Sequence, residues 1–113
     1  MTKATTGDRG TLRLAMAQMC SSNTHARNIE IVTGLAAEAH AAGAELLALP
    51  EASGMVNKDV ASARLSVTDE AHDPFIAACR ELAAKYGLWI HTGSTPLAGA
   101  DGSRFSNTSH LID

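Results

Sequence analysis

The chain has 113 residues, is 45% hydrophobic, and sets 9 Lys and Arg against 12 Asp and Glu for a formal net charge of -3. That suits one compact domain with a single modest core, and an acidic balance without a basic stripe gives no electrostatic case for nucleic acid. No apolar run approaches the roughly 20 residues of a spanning helix, so the sequence does not read as a membrane protein.

Residues 1–10, MTKATTGDRG, are polar and small and contain no apolar signal segment. They read as a disordered lead-in, with the cytoplasm as the expected compartment. Leu12 to Met19 alternates, with Leu12, Leu14, Met16 and Gln18 on one side and Arg13, Ala15, Ala17 and Met19 on the other. Because both sides are largely apolar, the reading is a strand covered on two faces.

Ser22, Asn23 and Thr24 offer capping groups for a helix whose buried stripe is Ile29, Val32, Ala36 and Ala39, with Leu35 beside it and Gly43 as the stop. Glu45 to Leu49 reads as a short buried strand, which completes a βαβ unit with parallel strands. Ala52 to Glu70 shows no clean period and reads as loop, with room for a helical turn. Asp73 and Pro74 form an N-cap and first-turn pair for a helix carrying Phe75, Ile76, Cys79, Leu82, Ala83 and Tyr86 and stopping at Gly87. Leu88 to Thr92 is a third strand. After a turn-rich link, Asp101-Gly102 marks the turn of an antiparallel hairpin, and RFSNTSHLID is its last alternating run. The order β-α-β-α-β-β predicts an α/β fold with helices on a mostly parallel sheet and a C-terminal antiparallel hairpin.

One residue stands out for chemistry. Glu51 follows Pro50 at the carboxyl end of the second strand, where open α/β sheets bind ligands. A carboxylate held there in a partly dry cleft is suited to general-base work; by position alone, a solvated loop glutamate is the favoured reading, because most charged residues are solvated surface. Cys20, at the end of the first strand, and Cys79, on an apolar helix stripe, both read as buried inert thiols, although Cys20 lies near the expected exit of Glu51. The histidines His25, His40, His72, His91 and His110 contain no i, i+4 pair, so neither a metal nor a cofactor is expected. Asn107-Thr108-Ser109 matches a glycosylation sequon but falls in a strand.

Taken together, LRLAMAQM, the helix led by Asn28-Ile29-Glu30, HAAGAELLALPE, KYGLWIHTGST and RFSNTSHLID resemble the beginning of the nitrilase, or carbon-nitrogen hydrolase, superfamily. AGAELLALPE is the most specific of these segments, and the resemblance spans Leu12 to Asp113. LPEASGM with GLWIHTGS is most similar to the branch of omega-amidases and deaminated-glutathione amidases. The resemblance implies part of an α-β-β-α sandwich over residues 11–113 and a small-molecule amide or nitrile substrate. It also implies a homo-oligomer or another form of self-association.

It further implies a cysteine nucleophile, a glutamate base and a lysine that stabilises the oxyanion, a division of labour that amide hydrolysis through a thioester requires. Glu51 matches the base. Lys58, Lys85, Cys20 and Cys79 do not match the lysine or the cysteine, which the family pattern places beyond Asp113. The expectation is therefore the N-terminal part of an amidase, inactive alone; the alternative is a non-catalytic α/β binding or interaction module.

Overall fold

The computed structural model describes residues 10–100 and 104–113. Apart from Gly10, the lead-in expected at residues 1–10 lies outside them, as does the turn expected at Asp101 and Gly102. In chain order the elements are β1 (Leu14–Met16), α1 (His25–Ala41), β2 (Leu46–Ala48), α2 (Val60–Ser66), a 3-10 turn at Glu70–His72, α3 (Pro74–Tyr86) and β3 (Trp89–His91). The chain continues with β4 (Thr95–Ala98), β5 (Phe105–Thr108) and β6 (Leu111–Ile112).

The two long helices form where capping and apolar spacing coincide. The Thr24 side chain accepts from Arg27 N at the start of α1, and Asp73 accepts from Ile76 N at the start of α3. The second carboxylate oxygen of Asp73 lies 3.6 Å from His25 Nε2, so the two helices begin side by side. Both pack on the same face of the main sheet. Val32, Ala36 and Ala39 from α1 meet Phe75, Cys79, Leu82 and Ala83 from α3 over Leu47 and Ile90.

The main sheet runs in the order β1-β2-β3-β6, with β1, β2 and β3 parallel and β6 antiparallel to β3. Strand register sorts the side chains into rows. Ala15, Leu47, Ile90 and Ile112 are partners in one row and pack toward the helices. The flanking rows, Leu14–Leu46–Trp89 and Met16–Ala48–His91–Leu111, point to the other face.

Three expectations are corrected. The first strand is covered on one face only: Leu12 is 58% exposed, Leu14 45% and Met16 79%. Composition had put apolar residues on both sides, but both helices lie on the Ala15 side. Ala52 to Glu70 holds a helix, α2, capped by the Asp59 side chain on Ala61 N, and the 3-10 turn begins at its last residue, Glu70. With Ala63 as its one buried residue, α2 has no amphipathic stripe to show in the sequence. Finally, RFSNTSHLID is two strands. β5 pairs with β4 in a separate two-stranded ribbon, and the chain then crosses at Ser109 and His110 to place β6 beside β3. The turn-rich link also holds β4, in which Pro96 sits in a ribbon.

Phe75 is completely buried between the helices and the sheet. Its replacement by alanine should lower unfolding free energy by about 3–5 kcal/mol, read as a fall in the denaturation midpoint.

Candidate active site

β2 ends against β3 through Leu49 N donating to the His91 carbonyl at 2.9 Å. The chain then leaves the sheet at Pro50, and Glu51 follows as an exposed residue. The turn that carries Glu51 is held far more tightly than its exposure implies. Ala52 has φ 55°, a left-handed conformation that costs an alanine on the order of 1 kcal/mol. Its backbone N–H donates to Ser94 Oγ at 2.7 Å. Ser53 is fully buried, and its hydroxyl donates to the Thr92 carbonyl.

On the opposite side stands Gly93, with φ 70°. A Cβ there would lie 2.0 Å from the Pro50 carbonyl oxygen and 2.5 Å from that of Leu49, so the backbones of the β2 and β3 exits touch directly. The crossing into β6 locks onto the same place. Thr92 N donates to the His110 carbonyl at 2.9 Å, His110 N donates to Thr92 Oγ1 at 2.9 Å, and the Ser109 hydroxyl donates to the Gly93 carbonyl. His110 Nε2 lies 2.6 Å from Glu70 Oε1, which ties this crossing to the 3-10 turn.

Beside the turn, a cavity of about 340 Å³ lies between α2 and the β4–β5 ribbon. Ala52, Met55, Val67, Pro96 and Phe105 give it an apolar wall, with Asn57, Ser106 and Asn107 as its polar groups, and no ionisable side chain lines it. Ala98 N donates to the Thr68 carbonyl at 2.8 Å, and the Arg64 guanidinium lies 5.7 Å over the Phe105 ring, so ribbon and α2 are joined around it.

The remaining candidates divide. Cys79 is buried in the core, and burial, with the nearby Asp73 charge, pushes its thiol up to about 12; it stays protonated at neutral pH and is no nucleophile. Cys20 is exposed, not buried as expected, because it follows β1 at the sheet's rim rather than facing the helices. His91 accepts from Gly93 N at 3.2 Å, a satisfied strand histidine. Among the described residues, no group of three His, Cys, Asp or Glu is placed to hold a metal ion. No helix among them is long and apolar enough to cross a membrane.

The sequence pattern described as carbon-nitrogen hydrolase matches residues 13–113. The chain belongs to the carbon-nitrogen hydrolase family. Solved structures share its fold. The C. elegans NitFhit protein superposes with a TM-score of 0.76 at 22% identity, covering 88% of this chain and 24% of its own. Nit3 of Saccharomyces cerevisiae, a nitrilase-superfamily member, gives 0.74 at 18% identity, over 90% of this chain and 40% of its own. The NitN amidase from Nesterenkonia sp. AN1 gives 0.72 at 25% identity, over 91% and 40%. The chain thus spans well under half the length of these structures. None of the curated proteins compared with it matches.

In this carbon-nitrogen hydrolase chain, the sequence points to Glu51 but not to the residues that hold its turn. Ser53 and Ser94 lie 41 positions apart, and no local pattern pairs them. Gly93 was visible as a turn residue; its contact with Pro50 was not. Gly93→Ala should cost about 3 kcal/mol or more, since a Cβ must displace two backbone carbonyls from a left-handed site. Chemical denaturation measures this, and a loss below about 1 kcal/mol would show that the two exits yield easily.

Proposed function

We propose that Glu51 is the general base of an amidase that hydrolyses short carboxylic-acid amides and releases ammonia. The observation that carries this reading is the Glu51 turn itself. A lone carboxylate leaves the carboxyl end of β2 on a strained turn pinned to the β3 exit, beside an uncharged cavity. Family membership supplies the reaction class, and the fixed turn supplies what a general base needs, a defined place from which to accept a proton.

In this reading Glu51 takes the proton from a cysteine thiol, the thiolate attacks the amide carbonyl, and the same proton leaves with ammonia. Glu51 then deprotonates the water that opens the thioester. A lysine ammonium holds the developing oxyanion. The acyl part of the substrate lies along the Ala52 and Met55 wall of the cavity. In a mutant of the Nesterenkonia sp. AN1 amidase, acrylamide has undergone Michael addition at the active-site cysteine, which supports thiol chemistry in that relative. Cys79 is too deeply buried to serve, and neither cysteine here matches the family position. We assign the nucleophile and the lysine to portions of the fold that relatives possess beyond the share covered by these 113 residues.

The chain alone should release no ammonia from glutaramate-type amides; turnover by it would overturn that division of labour. In a longer protein carrying this segment, Glu51→Gln should reduce kcat by roughly 10²–10⁴-fold, measured as ammonia release. Unchanged turnover would remove Glu51 from the chemistry.

The open face of the main sheet supports self-association. Leu12, Leu46, Trp89 and Leu111 line a shallow apolar cavity of about 280 Å³ there, and Leu14 and Met16 extend the same face. Sedimentation should show the isolated chain as dimers or larger species, shifted toward monomer by Leu14→Glu. A monodisperse monomer in the unaltered chain would contradict it.

A further inference from the structure

We infer that Asn28 is a positioning residue for the Glu51 turn, acting from α1; this rests on the reading of Glu51 as a base. Asn28 is fully buried and occupies the same helix face as Val32, Ala36 and Ala39. An amide in that apolar stripe is costly unless it is fully hydrogen-bonded.

Its partners come from two loops outside the helix. Oδ1 accepts from Ser22 N at 2.7 Å, while Nδ2 donates to the Ser22 carbonyl at 3.0 Å and to the Gly54 carbonyl at 2.9 Å. The orientation is set by chemistry, because a flipped amide would turn its nitrogen onto an N–H and its oxygen onto two carbonyls. Ser22 belongs to the loop after β1, and Gly54 lies three residues beyond Glu51. Val56 N closes the same bridge by donating to the Ser22 carbonyl at 3.0 Å.

Gly54 cannot retreat from this clamp. A Cβ on it would fall 2.0 Å from Thr95 Oγ1, so the backbone is already pressed against β4. The Glu51 turn is therefore held from both sides: Ser94 binds Ala52 before the apex closes, and Asn28 binds Gly54 after it. A leucine of similar volume would pack in the stripe but would leave three backbone groups without this partner. The amide is there to join the loops.

The test compares Asn28→Ala with the milder Asn28→Ser, which retains one hydroxyl. In the 113-residue chain, amide hydrogen exchange at Ala52, Gly54 and Val56 should rise at least about tenfold in the alanine variant and less in the serine variant, with α3 amides unchanged. Equal acceleration through α3 in both variants, or none at residues 52–56, would overturn the proposal and make Asn28 an ordinary packing residue. In the longer protein used for Glu51→Gln, Asn28→Ala should lower kcat by roughly ten- to a hundredfold with KM within about twofold. Full turnover in Asn28→Ala would also overturn it. If Glu51→Gln is itself harmless, the base assignment fails while the exchange measurement still decides whether Asn28 holds the turn.

Discussion

Much of the structure around Glu51 depends on the absence of one side chain. Because Gly93 has no Cβ, the Pro50 carbonyl occupies the space where one would stand, and the exits of β2 and β3 press together. Parallel neighbours such as these ordinarily diverge into separate loops once their ladder ends. Here the contact extends their coupling past the last ladder pair, Ala48 with His91, and brings Ala52 within reach of Ser94. The strained alanine, the Ser53 bond to Thr92 and the crossing into β6 all assemble around that contact.

The polar interior follows from the same arrangement. Among the described residues, the buried polar ones are Asn28, Ser53, Asp73, Thr92, Ser94 and Thr95. Asp73 caps α3; the other five gather at the carboxyl edge of the sheet. The apolar core lies elsewhere, between the helices and the row Ala15, Leu47, Ile90 and Ile112. The two regions do different physical work. Apolar burial is non-directional and fixes which face a helix covers, whereas hydrogen bonds are directional and can hold a turn in one geometry. A site built on a loop needs the second kind of constraint, and this loop has it on both sides.

That division explains what the sequence could and could not reveal. Helical stripes such as Val32–Ala36–Ala39 and Phe75–Cys79–Leu82 repeat within a few residues, so α1 and α3 were legible, as was the Asp73-Pro74 start. The strands were legible because Leu46–Ala48 and Trp89–His91 are short apolar runs bounded by turn residues. Short α2 was not, since its cap, Asp59, precedes a segment that buries only Ala63. Nor was the division of RFSNTSHLID, because alternation continues straight through the point where β5 leaves one sheet and β6 enters another. Glu51 could be singled out by its place after a strand. The bonds that support its turn, Asn28 to Gly54 and Ser94 to Ala52, span 26 and 42 positions, where no periodicity applies. One trace did exist: Asn28 is a polar residue at the helical spacing of a buried stripe, which marks a satisfied amide before its partners are known.

The open side of the sheet puts a further physical demand on the fold. Two rows ending in Trp89 and Leu111 face away from the helices, and Leu12, Leu14 and Met16 remain substantially exposed. A sheet that is apolar on both faces gains its full burial only when a second layer covers it. The helix layer stabilises one face and already fixes the register, so the rows on the other face are aligned before anything meets them. Whatever covers that face encounters a preset surface, and the Glu51 turn at its rim needs no help from the covering layer to keep its shape. The hydrogen bonds that define the turn, from Asn28, Ser53 and Ser94, are all made within the helix-backed half of the fold.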